Sequence, residues 1–221
     1  LDDAESFLVE ASANINGDKF KDVILKSLKD YTHVFKNKAI KKNSKNFGNL
    51  SLINQTFQRC YLNDSKTDNF FSNIINNNEA DYSRYTFFYI NYLLDNGRIK
   101  ETQNIAKEIE YINSSLLLSQ TKNWIENNNE QRIKKVFSCK DQKHIISEFL
   151  FLISNLYSSQ DNFEKSNFYL NLSLFLNPKF IYNLSLVSEN YYSIKDYKKT
   201  KKILSNFEEK DILYYWYRIK K

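Results

Sequence analysis

The sequence predicts an all-α chain built from antiparallel helical hairpins, and three observations carry that prediction. Only three glycines and one proline occur in 221 residues, whereas a barrel or sandwich turns every ~8–12 residues and needs such residues to do so. Apolar residues recur at helical spacing. The stretch 148–178, EFLFLISNLYSSQDNFEKSNFYLNLSLFLNP, reads as an amphipathic helix, a polar turn and a second helix closed by Pro178. The third observation is a lag of 34 residues, at which Leu150 meets Leu184, Ile153 meets Val187, Ser154 meets Ser188 and Tyr157 meets Tyr191. Phe163 likewise meets Tyr197, Ser166 meets Thr200 and Leu170 meets Leu204. A lone amphipathic helix repeats at about 3.6 residues. The longer lag marks a recurring supersecondary unit that presents like faces to its neighbours.

Taken in order, residues 2–31 read as a first hairpin, with Phe7, Leu8 and Ala11 on one helix, the turn NINGDKF, then Val23, Ile24 and Leu28 on the next. The polar, basic stretch 36–49 is expected to be a loop. Leu52, Ile53, Phe57 and Tyr61, then Phe70, Phe71, Ile74 and Ile75, give two further helices that fit the 34-residue lag poorly. Register returns with Thr86, Tyr89, Ile90 and Leu93, the turn DNGRIKET, and Ile99, Thr102, Ala106 and Ile109. Using Ile99, Ile133, Phe163 and Tyr197 as markers of the helix corner gives intervals of 34, 30 and 34, so the hairpin at 115–138 is expected to carry a shortened second helix. Trp124 stands there where a small residue is usual and is expected to fill the gap. The expected organisation is thus 1–78 as degenerate N-terminal hairpins and 79–221 as regular repeats. These run at about 83–114, 115–146, 147–180 and 181–210, with another starting at 211, in one continuous array of about five hairpins.

Composition narrows the function classes. A chain of this length can bury a core without staples, and its net charge of +6 is a mild excess that permits a polyanionic partner without demanding one. Abundant Asn, Lys, Ile, Tyr and Phe fit an AT-rich genome, which produces lysine-rich stretches without selection for binding. No apolar run approaches the ~18 residues that span a bilayer. The chain opens at Leu1, contains no Met and ends within an expected helix at 211–221, so it is expected to be part of a longer protein. The cytoplasm is favoured, with export left open. Cys60 and Cys139 lack CxxC spacing and are expected to be free thiols in a reducing compartment. Cys139 with His144 is a lone C-x4-H pair, short of the about four ligands of a zinc site.

Enzyme motifs are missing. There is no glycine-rich phosphate loop, no HExxH and no nucleophile elbow, and His33 and His144 are far apart in sequence. The expectation is a non-catalytic protein with no cofactor and no metal.

The places held by Leu150, Ile153, Ser154, Tyr157, Ser166, Leu170 and Pro178 resemble the tetratricopeptide repeat (TPR). In that repeat a large, a leucine-like, a small and an aromatic residue line helix A, and a small residue, a large one and a proline mark helix B. The chain is similar in this respect to bacterial TPR-like proteins over 83–209 and more weakly before. The resemblance implies a right-handed α-solenoid whose A helices line a concave groove for a protein or peptide partner. Carried onto this chain, the groove residues would be Arg84, Phe87, Asn91 and Leu94, then Glu148, Phe151, Asn155 and Ser158, then Tyr182, Ser185, Glu189 and Tyr192. Asn91 and Asn155 match the asparagines of the subset that grips chaperone tails. That subset's lysine places hold Phe87, Thr121, Phe151 and Ser185 here, which leaves an apolar, amide-bearing groove without a carboxylate clamp. Phe87 and Phe151 serve equally well as packing residues.

The alternative is a basic helical-repeat protein that binds RNA or another nucleic acid. Its lysine clusters would be Lys36, Lys38, Lys41, Lys42 and Lys45, then Arg132, Lys134 and Lys135, then Lys195, Lys198, Lys199, Lys201 and Lys202. Association with a second copy through the last hairpin is a further expectation.

Overall fold

The computed structural model of the protein describes residues 2–13, 19–41, 46–77, 81–111 and 114–207. Among these residues there are twelve α-helices, one 3-10 turn and no strand, so the chain is all-α. The helices are α1 (Asp2–Ala13), α2 (Lys19–Asn37), α3 (Asn49–Leu62), α4 (Thr67–Ile75), α5 (Arg84–Asp95) and α6 (Ile99–Glu108). They continue as α7 (Leu116–Glu126), α8 (Glu130–Val136), α9 (Gln142–Ser158), α10 (Phe163–Leu176), α11 (Leu184–Ser193) and α12 (Tyr197–Leu204). The 3-10 turn is Ile181–Asn183. Most of the expected first turn, Lys42 and Lys45, and the helix expected at 211–221 lie outside the described residues.

Short polar side chains begin several helices and a left-handed residue follows several of them. Ser115, Asp141, Asn162 and Asp196 each accept a backbone N–H from the first turn that follows, which satisfies a donor that has no partner within the helix. At the other end, Asn63, Gly97, Asn128, Asp161 and Lys195 take positive φ. In each case two crossed bonds close the helix, such as Arg98 N–H to the Leu93 carbonyl and Gly97 N–H to the Leu94 carbonyl. The acceptors of the longer bond are Arg59, Leu93, Trp124, Tyr157 and Tyr191, which recur at 34, 31, 33 and 34 residues. The α3–α4 hairpin therefore shares the spacing that its side chains hide.

This closure corrects one expectation. α8 opens at Glu130, three residues before Ile133, and Ile133 is a fully buried core residue rather than the corner. Measured at the helix starts Ile99, Glu130, Phe163 and Tyr197, the intervals are 31, 33 and 34. α8 is nonetheless short, at 7 residues against 14 in α10, and Trp124 is buried beside it.

The chain divides into two compact units, Leu1–Asn77 and Asn78–Lys221. In the first, α1 packs on α2, α2 on α3 and α3 on α4. Tyr31 Oη donates to Asn54 Oδ1 at 3.0 Å, and Asn54 Nδ2 donates to Ser27 Oγ at 3.0 Å, so a buried polar relay fixes α2 against α3. Phe57 and Phe71 meet edge to face between α3 and α4.

In the second unit α5 is the central helix. Tyr85, Phe87, Phe88, Ile90, Asn91, Tyr92, Leu93 and Leu94 are all buried, because α6, α7 and α8 pack around it. Phe180 and Phe137 close the remaining sides, with ring centroids 5.8 and 4.6 Å from Phe88. In a regular solenoid each repeat touches only its neighbours. Here α5 also reaches α9 and the 3-10 turn, passing over the short α7–α8 hairpin.

Cys60 and Cys139 are buried and neither is a free thiol; both are disulfide-bonded. This overturns the expectation of free thiols, which rested on sequence spacing alone.

Candidate functional site

The residues expected to form the groove separate into three groups by burial. α5 supplies the first group, and its central position removes Phe87 and Asn91 from any accessible surface. The amide of Asn91 is used inside the protein, donating to the Phe137 carbonyl at 2.6 Å and to that of Ile133 at 3.4 Å. Leu94 is buried as well. A partner cannot reach these three side chains. The groove expectation treated α5 as an outer helix, whereas helices pack on it from several directions.

Arg84 and Glu148 form the second group. Arg84 Nε and Nη2 donate to the two oxygens of Glu148 at 2.9 and 2.8 Å, and Nη2 also donates to Asn183 Oδ1 at 2.9 Å. The guanidinium carbon lies 3.9 Å from the centre of the Phe151 ring, 4.9 Å from that of Phe180 and 5.6 Å from that of Phe88. This is a fork-to-fork ion pair inside an aromatic box. The Glu148 side chain is 3% exposed and that of Arg84 20%. Burial pushes the Glu148 carboxyl above its ordinary range, and the charge and hydrogen bonds of Arg84 pull it part of the way back. Both residues are occupied in joining α5 to α9. Tyr182 is buried too, packed against Phe180.

The third group is accessible. Asn155 and Glu189 are exposed, and Tyr192 is 62% exposed. Phe151 is half-buried beneath the guanidinium. These residues belong to α9 and α11, which are joined by a bond from Ser158 Oγ to Asn190 Oδ1 of 2.7 Å.

Between α9, α10 and α11 runs a buried polar ladder that the sequence reading found only in part. Ser147 and Ser154 on α9 face Ser173 and Ser166 on α10, with Oγ–Oγ distances of 3.0 and 2.9 Å. Asn183 Nδ2 extends the first rung to Ser173 Oγ at 3.0 Å, and Asn190 Nδ2 extends the second to Ser166 Oγ at 2.7 Å. α9 and α10 each contribute serines seven apart, about two helical turns, and the asparagines, from the 3-10 turn and α11, keep the same interval. Ser154 and Ser166 were legible as the small residues of the 34-residue lag; the asparagines were not.

Large apolar side chains left in solvent concentrate in the same part of the chain. Leu156, Phe168, Leu172, Phe175, Tyr192, Ile194 and Tyr197 are exposed, against Phe7, Val9, Ile99 and Tyr111 in the remaining described residues. Phe168, Leu172 and Phe175 form a stripe at i, i+4 and i+7 along α10, with Phe175 81% exposed. At its upper end Phe168 lines an open cleft of about 820 Å³. Residues of the α9–α10 turn and one face of α10, including Asp161 and Glu164, form one wall, and Tyr191 and Ile194 form the other.

Among the described residues no group of three potential metal ligands occurs. His144 Nδ1 accepts the Ser138 N–H at 3.0 Å, which leaves its proton on Nε2, and burial lowers its pKa. His33 is tied to Asn37 on the same helix. Among the described residues no helix is long and apolar enough to cross a membrane. The first lysine cluster is largely engaged: Lys36 pairs with Glu5 at 2.8 Å, Lys41 with Asp30 at 3.5 Å, and Lys38 lies over the ring of Tyr61. No protein-family model matches the chain, and neither a curated protein nor a solved structure matches it significantly.

Proposed function

We propose that this protein is a non-catalytic scaffold of helical hairpins that holds a protein or peptide partner on the outer faces of α9, α10 and α11. The observation that carries the reading is the concentration of exposed large apolar residues on the helices whose interior is already sealed by the serine–asparagine ladder. Contiguous apolar surface on a folded protein marks an interaction site more often than scattered single residues do. Asn155, Glu189 and Tyr192 supply the polar and aromatic groups that fix such a partner, with Phe151 and Arg84 beneath them. A TPR-like solenoid is the architecture that suits this role. Disulfide-bonded cysteines persist in oxidising surroundings, so the proposed compartment is an oxidising one and not the cytoplasm that the sequence favoured.

Photo-cross-linking from positions 155, 175 and 192 in native extract, read by mass spectrometry, tests the proposal. The expected result is one protein joined at two or more positions, with Asn155→Ala and Phe175→Ser lowering its capture while the melting temperature holds. Capture that is unchanged in both variants would refute the surface.

A further inference from the structure

The last hairpin carries a second, differently built surface. α12 turns Thr200 and Leu204 inward and leaves Lys198, Lys201 and Lys202 at i, i+3 and i+4 on its exposed face. Lys195 joins them from the left-handed position of the preceding turn. None of these four makes an ion pair with a described residue. The one acid of the turn, Asp196, is 3.0 Å from Lys199 Nζ and also accepts the Lys199 backbone N–H, so it is engaged chiefly by Lys199 and more weakly by the charge of Lys198. Around the lysines, Tyr192, Ile194 and Tyr197 are each at least half exposed, and Ile194 sits in the turn itself.

We infer that this hairpin tip docks on an anionic phospholipid surface, with Ile194 and Tyr197 entering the interfacial layer and the four lysines meeting headgroup phosphates. Three features favour lipid over single-stranded nucleic acid. Base stacking needs free aromatic faces, and the rings of Tyr192 and Tyr197 cover one another in part, at 5.5 Å and a tilt of 59°. An aliphatic side chain at the apex of a turn has no counterpart in a phosphate backbone and partitions well between headgroup and acyl chain. α12 is only about 12 Å long, enough for a local patch of headgroups but too short to follow a strand. Asp161 and Glu164 stand on the other wall of the cleft beside Ile194. They give the docking a direction, with α12 toward the membrane and that wall away from it.

Co-sedimentation of the full chain with phosphatidylcholine vesicles, with and without phosphatidylglycerol, at low and high salt, tests the inference. Binding is expected only with phosphatidylglycerol, and it falls as salt rises. Each lysine near an anionic surface contributes about fivefold in partitioning, so K198E/K201E/K202E is expected to weaken binding on the order of 100-fold. Ile194→Asp acts on the apolar half and is expected to weaken it about tenfold. K198E/K201E/K202E touches no residue proposed to hold the peptide partner, so capture of that partner stays intact in it, and melting curves confirm the fold of both variants. Equal binding to both vesicle types, no vesicle binding, or full retention by the triple variant would overturn the inference. Binding of single-stranded polyuridylate that the triple variant abolishes, with vesicles left unbound, would assign the surface to nucleic acid instead.

Discussion

The Arg84–Glu148 pair lets the central position of α5 be tested directly. Arg84→Ala removes the guanidinium and leaves a carboxylate in a site 3% exposed to solvent. Losing one partner of a buried ion pair costs about 3–5 kcal/mol, because the remaining charge is uncompensated. Glu148→Ala is the milder change. Arg84 keeps its bond to Asn183, its aromatic neighbours and 20% exposure, so the expected loss is about 2–3 kcal/mol, that of hydrogen bonds to a charged group. The two losses do not add in the double variant, because it strands no charge and loses the shared hydrogen bonds only once, and the coupling in the mutant cycle is expected to exceed about 1 kcal/mol. Both tryptophans of the chain, Trp124 and Trp216, fall in the second unit, so tryptophan fluorescence during urea unfolding reads that unit alone. Additive losses with coupling below about 0.5 kcal/mol would mean that α5 and α9 are not joined as described.

Glu148→Gln isolates the carboxyl's charge. Burial raises the folded pKa above the unfolded one, so the stability contributed by Glu148 is present at low pH and is lost as pH rises through the folded value. The stability of the parent relative to Glu148→Gln is therefore expected to decline from pH 4 toward pH 7, and a rise over that window in urea titrations would contradict it. Asn190→Ala removes two donated bonds and one accepted bond from the ladder; a loss of about 2–3 kcal/mol is expected, and less than ~0.5 would show that the rung is not formed. Tyr157, buried and stacked on Tyr169 at 5.5 Å, is expected to cost about 3–5 kcal/mol on truncation to Ala, and a thermally silent change would undo its register. Finally, the unreduced protein in denaturant is expected to show no free thiol to a colorimetric reagent; a reading of two would return the cysteines to the sequence expectation.

Much of the hairpin core was legible because a lag of 34 tests the same structural place twice. Leu150, Ile153, Ser154, Tyr157, Ser166 and Leu170 are all buried, since a large or small residue repeated at that lag answers to the same neighbour. Ile133 misled the spacing for a related reason: a buried isoleucine on the first turn of α8 has the same chemistry as a corner residue, and only backbone hydrogen bonds separate them. The sequence left Phe87 evenly between packing and groove and did not reveal the burial of Asn91, because the deciding contacts, Phe87 with Phe180 and Asn91 with the Phe137 carbonyl, join residues distant in sequence. Disulfide bonding was illegible for the same reason, as spacing along the chain says nothing of distance in space.

α10 shows how the ladder and the proposed surface depend on each other. Both sides of this helix could be buried on hydrophobicity alone: one carries Phe168, Leu172 and Phe175, the other Ser166, Leu170 and Ser173. A buried phenylalanine gains about 1.5–3 kcal/mol, so apolar area favours turning the phenylalanines inward. The helix does the opposite, and Phe175 stays 81% exposed. Two effects act against the more apolar orientation. Serines at Ser147, Ser154, Ser166 and Ser173 let α9 and α10 approach closely, which a phenylalanine at the same places would prevent by overpacking. Turning α10 about its axis would also strand the side-chain amides of Asn183 and Asn190, whose donors end on Ser173 and Ser166, and each stranded polar group costs about 1–3 kcal/mol. The polar rungs thus select one face for the interior and hold the phenylalanine stripe in solvent. The proposed surface rests on that selection, because it leaves Phe168 and Phe175 exposed.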